Sequence, residues 1–155
     1  VAPEDLVAAL ATSPERKLLL RSLFQYRRTL RELGLAGYQW IDGSFVENVE
    51  QNRGRPPGDI DLVTHVARPE QFVDPAAWED FLDQNWDALF PEGVGLHCFM
   101  LDLMLPPEVL VSQSVYWFGL FSHQRDTALW KGIVQIDLAA DDVAAIAMLE
   151  ADDAN

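Results

Sequence analysis

The stretch "NVEQNRGRPPGDIDLV" constrains the fold more than any other. From Asn48 to Gly58 it carries Gly54, Pro56, Pro57 and Gly58, which break helices and central strands, so this segment is a loop. Directly behind it, Asp59-Ile60-Asp61-Leu62 alternates acid with aliphatic. Successive side chains of a strand point to opposite faces. A strand over Asp59 to Thr64 therefore sends Ile60 and Leu62 toward a core and sets Asp59 and Asp61 side by side on the other face.

The rest of the chain supplies the core. It has 155 residues, 49% hydrophobic and 23% charged, which suits one domain spanning residues 1–155. Ser13-Pro14-Glu15 reads as an N-cap, a proline at the first helical position and an acid at the positive dipole end. Leu19, Leu23, Tyr26, Leu30 and Leu33 follow at helical spacing, so an amphipathic helix runs to Gly34 or Gly37. Gln39 to Asp42 reads as a short strand. Val73-Asp74-Pro75 opens a second helix carrying Trp78, Phe81, Leu82, Trp86 and Leu89. Leu96 to Leu105 is a strand stopped by Pro106-Pro107. Val115 to Phe121 and Gly132 to Leu138 read as a hairpin across "SHQRDTALWK", and Asp142 to Glu150 as a last short helix. The expectation is an α/β (α+β) domain, a mixed sheet of about 4–5 strands flanked by helices.

The net charge is −14, which excludes a surface that binds nucleic acid over its whole extent. Six of the eleven basic residues nevertheless fall between Arg16 and Arg31: Arg16, Lys17, Arg21, Arg27, Arg28 and Arg31. They read either as a solvated helix face or as an anchor for phosphates, RNA or an acidic partner. Lys17, Arg21, Arg28 and Arg31 lie largely opposite the leucine stripe and are expected to be exposed together. No apolar run reaches membrane-spanning length, and the chain opens without the basic-then-apolar pattern of a signal peptide. Cys98 is the single cysteine and reads as a small core residue, with a reducing cytoplasm as the default compartment.

A third acid extends the acidic pattern. In "FMLDLML", Met100, Asp102 and Met104 share one face and Leu101, Leu103 and Leu105 the other. If this strand neighbours the first, Asp59, Asp61 and Asp102 meet across the sheet. Clustered carboxylates repel unless a cation sits among them, and hard oxygen ligands suit Mg²⁺. A solvent-exposed acidic strand face gives the same alternation. Gly43-Ser44, ahead of the loop, adds a backbone step that a phosphate can approach closely. Ser44 to Glu47 also fits a capping box.

The segments "DGSFVEN", "RPPGDIDLV" and "FMLDLML" together resemble the nucleotidyltransferase superfamily that includes DNA polymerase beta, and most of all its small stand-alone bacterial members. The resemblance covers Gln39 to Leu105, with "KGIVQIDL" as a closing strand, and implies a nucleotidyltransferase-like fold. It implies that Gly43 and Ser44 hold the triphosphate of a nucleoside triphosphate such as ATP. Asp59, Asp61 and Asp102 would bind Mg²⁺ and serve catalysis, with Asp137 in "VQIDL" as the rival third acid. The implied reaction moves a nucleoside monophosphate to a hydroxyl of a protein, RNA or small molecule. Small bacterial members often sit in toxin–antitoxin or phage-defence pairs. An inactive nucleotide- or protein-binding regulatory module of the same fold is the alternative. The spacer from Phe45 to Gly58 is long for the superfamily.

Other groups read blandly. Arg53 and Arg55 are loop cations. Lys131 is a strand-edge charge, or else a group approaching the nucleotide. His65, His97 and His123 lack metal-ligand spacing. The five tryptophans are core or strand-surface residues.

Overall fold

The structure, a computed structural model, describes residues 1–124 and 127–151. Helix α1 (Pro3–Leu10) precedes the long α2 (Pro14–Glu32), which Ser13 caps by accepting from Arg16 N–H. The chain then enters β1 (Ala36–Asp42), a 3₁₀ turn over Gly43–Val46, and the short α3 (Val49–Arg53). After the Pro/Gly loop comes β2 (Ile60–Ala67), followed by α4 (Pro75–Gln84), α5 (Trp86–Leu89) and β3 (Leu96–Asp102). Helix α6 (Pro107–Phe121), β4 (Val134–Asp137) and α7 (Val143–Ala151) complete the order.

The four strands form one mixed sheet in the order β3-β2-β1-β4. β1 is antiparallel to β2 and β4, whereas β2 and β3 run parallel. With helices against it, this is the α/β architecture expected. Ile41, Ile60, Leu62, Val66, Leu96 and Ile136 pack on one face with Leu20, Leu23, Phe24 and Leu30 of α2. Burying a leucine of this kind is worth about 2 kcal/mol, so the stripe read from α2 anchors the sheet. The other face is covered in part by α6, where Trp117 and Phe121 meet Val63 and Leu101.

Four local expectations are corrected. The segment from Asn48 to Gly58, expected as a loop throughout, forms helix α3 over Val49–Arg53 before its Pro/Gly end, because Asn48 caps it. Val115 to Phe121 lies in a helix, not in a hairpin strand. Pro107 at the first helical position starts α6, and Trp117 and Phe121, four apart, put one flank on the sheet. Packing of that flank overrides the β-propensity of its valines and aromatics. Of the expected hairpin turn, residues 125 and 126 lie outside the described residues. Ser44 caps nothing: the turn after β1 has Asp42 at its N-cap position, and α3 is capped by Asn48, which accepts from Gln51 N–H. The helix expected through Leu89 breaks at Asn85, whose amide donates to Phe81 O at 2.8 Å.

The Arg-rich helix is solvated only in part: Arg16 and Arg27 are buried, Lys17, Arg21 and Arg31 half-buried. Arg27 is fully buried, pairing with Asp142 at 3.0 Å and donating to Gln39 Oε1 at 3.0 Å and Asp137 O at 2.9 Å. Arg31 holds the same Asp142 at 2.7 Å. Arg21 donates to Leu149 O at 3.0 Å. These cations tie α2 to α7 and the end of β4, while Arg28 stays exposed. No helix among the described residues is long and apolar enough to cross a membrane.

Candidate functional site

Strand register assembles a row of polar groups at one end of the sheet. Asp42 of β1 lies opposite Asp61 of β2, and Asp61 lies beside His97 of β3. Cross-strand partners share a face, so these three side chains stand together, on the face where Val63 and Leu101 meet α6. Asp59 comes off the preceding loop to the same place. His97 Nδ1 is 3.2 Å from Asp61 Oδ1 and 4.0 Å from Asp59 Oδ2. One ligand atom from each of Asp59, Asp61 and His97 falls within 4.8 Å of the others. Beside them opens a cleft of about 500 Å³ walled by Gly58, Asp59, Glu92, Gly93, Gly95 and His97.

The Gly-Ser turn is locked to this row. Gly43 has φ +83°, and a Cβ there would collide with the Asp61 carboxylate. Glycine is required twice over, for the left-handed backbone and for contact with the acidic strand. Ser44 follows at the same corner, half-buried, its carbonyl accepting from Glu47 N–H at 3.2 Å.

Behind the turn lies a buried ion cluster. Lys131 Nζ reaches Asp42 Oδ2 at 2.9 Å, Glu47 Oε1 at 3.2 Å and Gly43 O at 3.4 Å. Asp42 is 2% exposed, and its second oxygen, Oδ1, has no hydrogen-bond partner. Burial pushes the Asp42 carboxyl up to about 6, against the pull of Lys131 and with a further push from Asp61. Arg16 braces the turn from the other side. It donates to Phe45 O and Glu47 O, each at 2.6 Å, and pairs with Glu50 at 2.6 Å.

Asp59, Asp61, Gly43 and Ser44 are thus brought together; Asp102 is not. The register pairs Asp102 with Val66, so it shares the core-side face of β2 and lies five positions beyond His97. At strand rise that is roughly 16 Å away. Its carboxylate accepts from Arg68 Nε at 2.7 Å and from Met104 N–H at 2.8 Å, the work of a strand-end cap. The convergence of three aspartates is therefore corrected: the even offset between the strands gives Asp61 and Asp102 opposite faces. Asp137 does not replace it. It pairs with Tyr38 at the far end of β1 and accepts from Ala139 N–H at 2.8 Å.

His97 is the third member of the cluster with Asp59 and Asp61. Asp42 is a further residue that sequence reasoning did not single out, whereas Lys131 and Arg16 were read as a strand-edge or nucleotide-approaching charge and as part of the cationic helix, not as the groups that brace the turn. Asp42 had a signal, standing immediately before Gly43-Ser44. His97 could be found only by setting β3 parallel to β2 in register. Cys98 is bland as expected: burial pushes its thiol up to about 12.

Comparison with the curated proteins and with the solved structures gives no match. A family model covers residues 1–137, and by it the chain belongs to DUF6932, a family of unknown function.

Proposed function

We propose that this chain transfers a nucleoside monophosphate from a nucleoside triphosphate to a hydroxyl of a protein, an RNA or a small molecule, with Mg²⁺ as the supporting ion. The observation that carries the reading is the packing of Asp61 against Gly43. Two motifs separated by a long loop meet at one sheet corner, in the order the nucleotidyltransferase superfamily uses. On this reading Gly43 and Ser44 receive the triphosphate, and the fold is a nucleotidyltransferase-like one.

Asp59, Asp61 and His97 would hold the ion. Two carboxylates and an imidazole leave part of an octahedral shell to phosphate oxygens and water. Imidazole is a softer donor than a third carboxylate, so the set suits Mn²⁺ as well. When bound, such an ion supplies charge neutralisation at the phosphates and a more acidic acceptor hydroxyl. In the reaction the acceptor oxygen bonds to the α-phosphorus, pyrophosphate leaves, and the hydroxyl proton passes to solvent. The cleft beside Asp59 and His97 offers room for the acceptor. A cytoplasmic setting, in a toxin–antitoxin or phage-defence pair, belongs to this reading through the resemblance alone.

A second reading has its own observation. With Asp102 distant and Asp42 tied to Lys131, the cluster of described residues offers two carboxylates, Asp59 and Asp61, beside one imidazole. A regulatory module that binds nucleotide without turnover needs no more.

Binding of labelled ATP and GTP, with and without Mg²⁺ or Mn²⁺, followed by a pyrophosphate-release assay, tests both. The expected result is divalent-dependent binding and release. Asp61→Asn should lower the rate roughly a hundredfold or more, while Asp102→Asn leaves it unchanged. Binding without release selects the second reading. Absence of binding by either nucleotide ends both.

A further inference from the structure

Helix α6 buries Trp117 and Phe121 but does not confine its apolar side chains to that flank. Val111, Val115 and Phe118 stand 64%, 68% and 50% exposed. At helical spacing these three form one stripe. Tyr116, Leu120 and Val109 widen the exposed apolar surface. Ser112 and Gly119 run beside the stripe, and a Cβ on Gly119 would meet nothing within 4 Å. Glu108 is the one charged residue from Pro107 to Phe121, in a chain of net charge −14. The open apolar area is on the order of 600 Å², at the top of what a monomer leaves uncovered. Leu129 and Trp130 are also exposed, in the segment that pairs back onto His123 just after the helix. That brings the surface close to the ~800 Å² per partner of a stable complex.

We propose that this face joins two copies of the chain, α6 against α6, antiparallel about a twofold axis at Val115. A twofold interface uses the same patch on both sides and must match itself. Antiparallel pairing about Val115 sets Val115 against its own copy and Val111 beside Phe118 of the second copy. Ser112 and Gly119 let the helix axes approach to about 8 Å, the close end of helix packing. Charge selects the same occupant. A basic partner would find only Glu108 to pair with on α6. Two copies each carrying −14 repel least where they present a helix with a single charge at its end. The inference does not rest on the nucleotide reading, and either can fail alone.

Sedimentation equilibrium of the full chain tests it. A dimer is expected, and it should tighten between about 0.05 M and about 0.5 M NaCl as repulsion between the acidic copies is screened. Val115→Glu should weaken association at least tenfold. If that variant fails to fold, Gly119→Leu decides. Its side chain has open space in the monomer and better helix propensity than glycine, so the fold should keep or gain stability while the dimer weakens. Val115→Cys should cross-link to its own copy on mild oxidation, with the partly buried Cys98 as the background thiol. A chain that stays monomeric up to about 100 μM, far above the Kd that an interface of this size supports, overturns the proposal. So does a dimer that Gly119→Leu leaves unchanged.

Discussion

His65 lies between the rings of Tyr38 and Trp40, at centroid distances of 4.4 and 4.5 Å, with neither ring nitrogen hydrogen-bonded. Burial pulls its pKa from 6.5 down to about 4. Between those values the unfolded chain binds a proton that the folded chain refuses, so stability falls as pH drops through this window. The loss is roughly 3 kcal/mol once the pH nears the folded value. Asp42 works in the opposite sense. Its pKa is raised from 3.8 to about 6, so the folded chain takes up the proton first and acidification over that range favours folding. The two effects blunt each other in the wild type, and a variant difference separates them. His65→Phe keeps the ring stack and removes the titration. Urea unfolding at about pH 7 and about pH 4.5 should show the variant gaining on the wild type by roughly 2–3 kcal/mol at the lower pH. An unchanged gap would mean that His65 takes its proton without cost.

Two elements carry tasks that their own sequences announce poorly. Helix α2 looks like an amphipathic helix with a cationic outer face, yet Arg16 is 3% exposed and fastens the corner after β1. Its guanidinium satisfies two backbone carbonyls of the Phe45–Glu47 segment and both oxygens of Glu50. Arg16→Met keeps the stem and strips all of these bonds. Leaving buried acceptors unpaired costs about 1–3 kcal/mol each, so a loss of roughly 3 kcal/mol is expected, with relaxation sparing some of the sum. Hydrogen exchange should locate it: amides of residues 43–50 should lose protection while those of β2 and β3 keep theirs. A uniform loss across the sheet would make Arg16 a general core strut instead of a brace for the turn. Helix α6 is the second case. Its aromatic and β-branched content reads as strand, and only contact of its inner flank with Val63 and Leu101 decides for helix.

At the scale of the molecule, the acidic charge is unevenly compensated. Buried and half-buried cations are paired internally: Arg16 with Glu50, Arg27 and Arg31 with Asp142, and Lys131 with Asp42 and Glu47. Asp59 and Asp61 are left with the His97 imidazole beside them, on a surface whose net field repels anions. A divalent cation bound there relieves local and global repulsion together. At a free ion concentration of a hundred times Kd the folded state should gain about 2.7 kcal/mol. Thermal unfolding with Mn²⁺ and with Mg²⁺ should show the rise in Tm, and Asp61→Asn should abolish it without lowering the ion-free Tm. Asp102→Asn should keep the shift. An equal rise in all three proteins would point to diffuse screening by salt instead of a site.

What the sequence determined by itself is local or periodic. The stripe Leu19-Leu23-Tyr26-Leu30 dictated α2 and its buried side. The caps Ser13 and Asp74 set two helix starts, and the Pro/Gly loop fixed the beginning of β2. The acid–aliphatic alternation put Asp61 on the face opposite Ile60 and Leu62, because strand period is a property of the backbone. What faces Asp61 was decided only by the tertiary structure. Strand neighbours and register are set by packing across the sheet, and one position of slip exchanges the two faces. Pairing Asp61 with His97 therefore brought an imidazole to the site and carried Asp102 to the other face, where Arg68 holds it. The same holds for the cations. Charge counts along α2 cannot distinguish a solvated arginine from one drawn inward to carbonyls and carboxylates that arrive from Phe45, Glu50, Asp137 and Asp142, all distant in the chain.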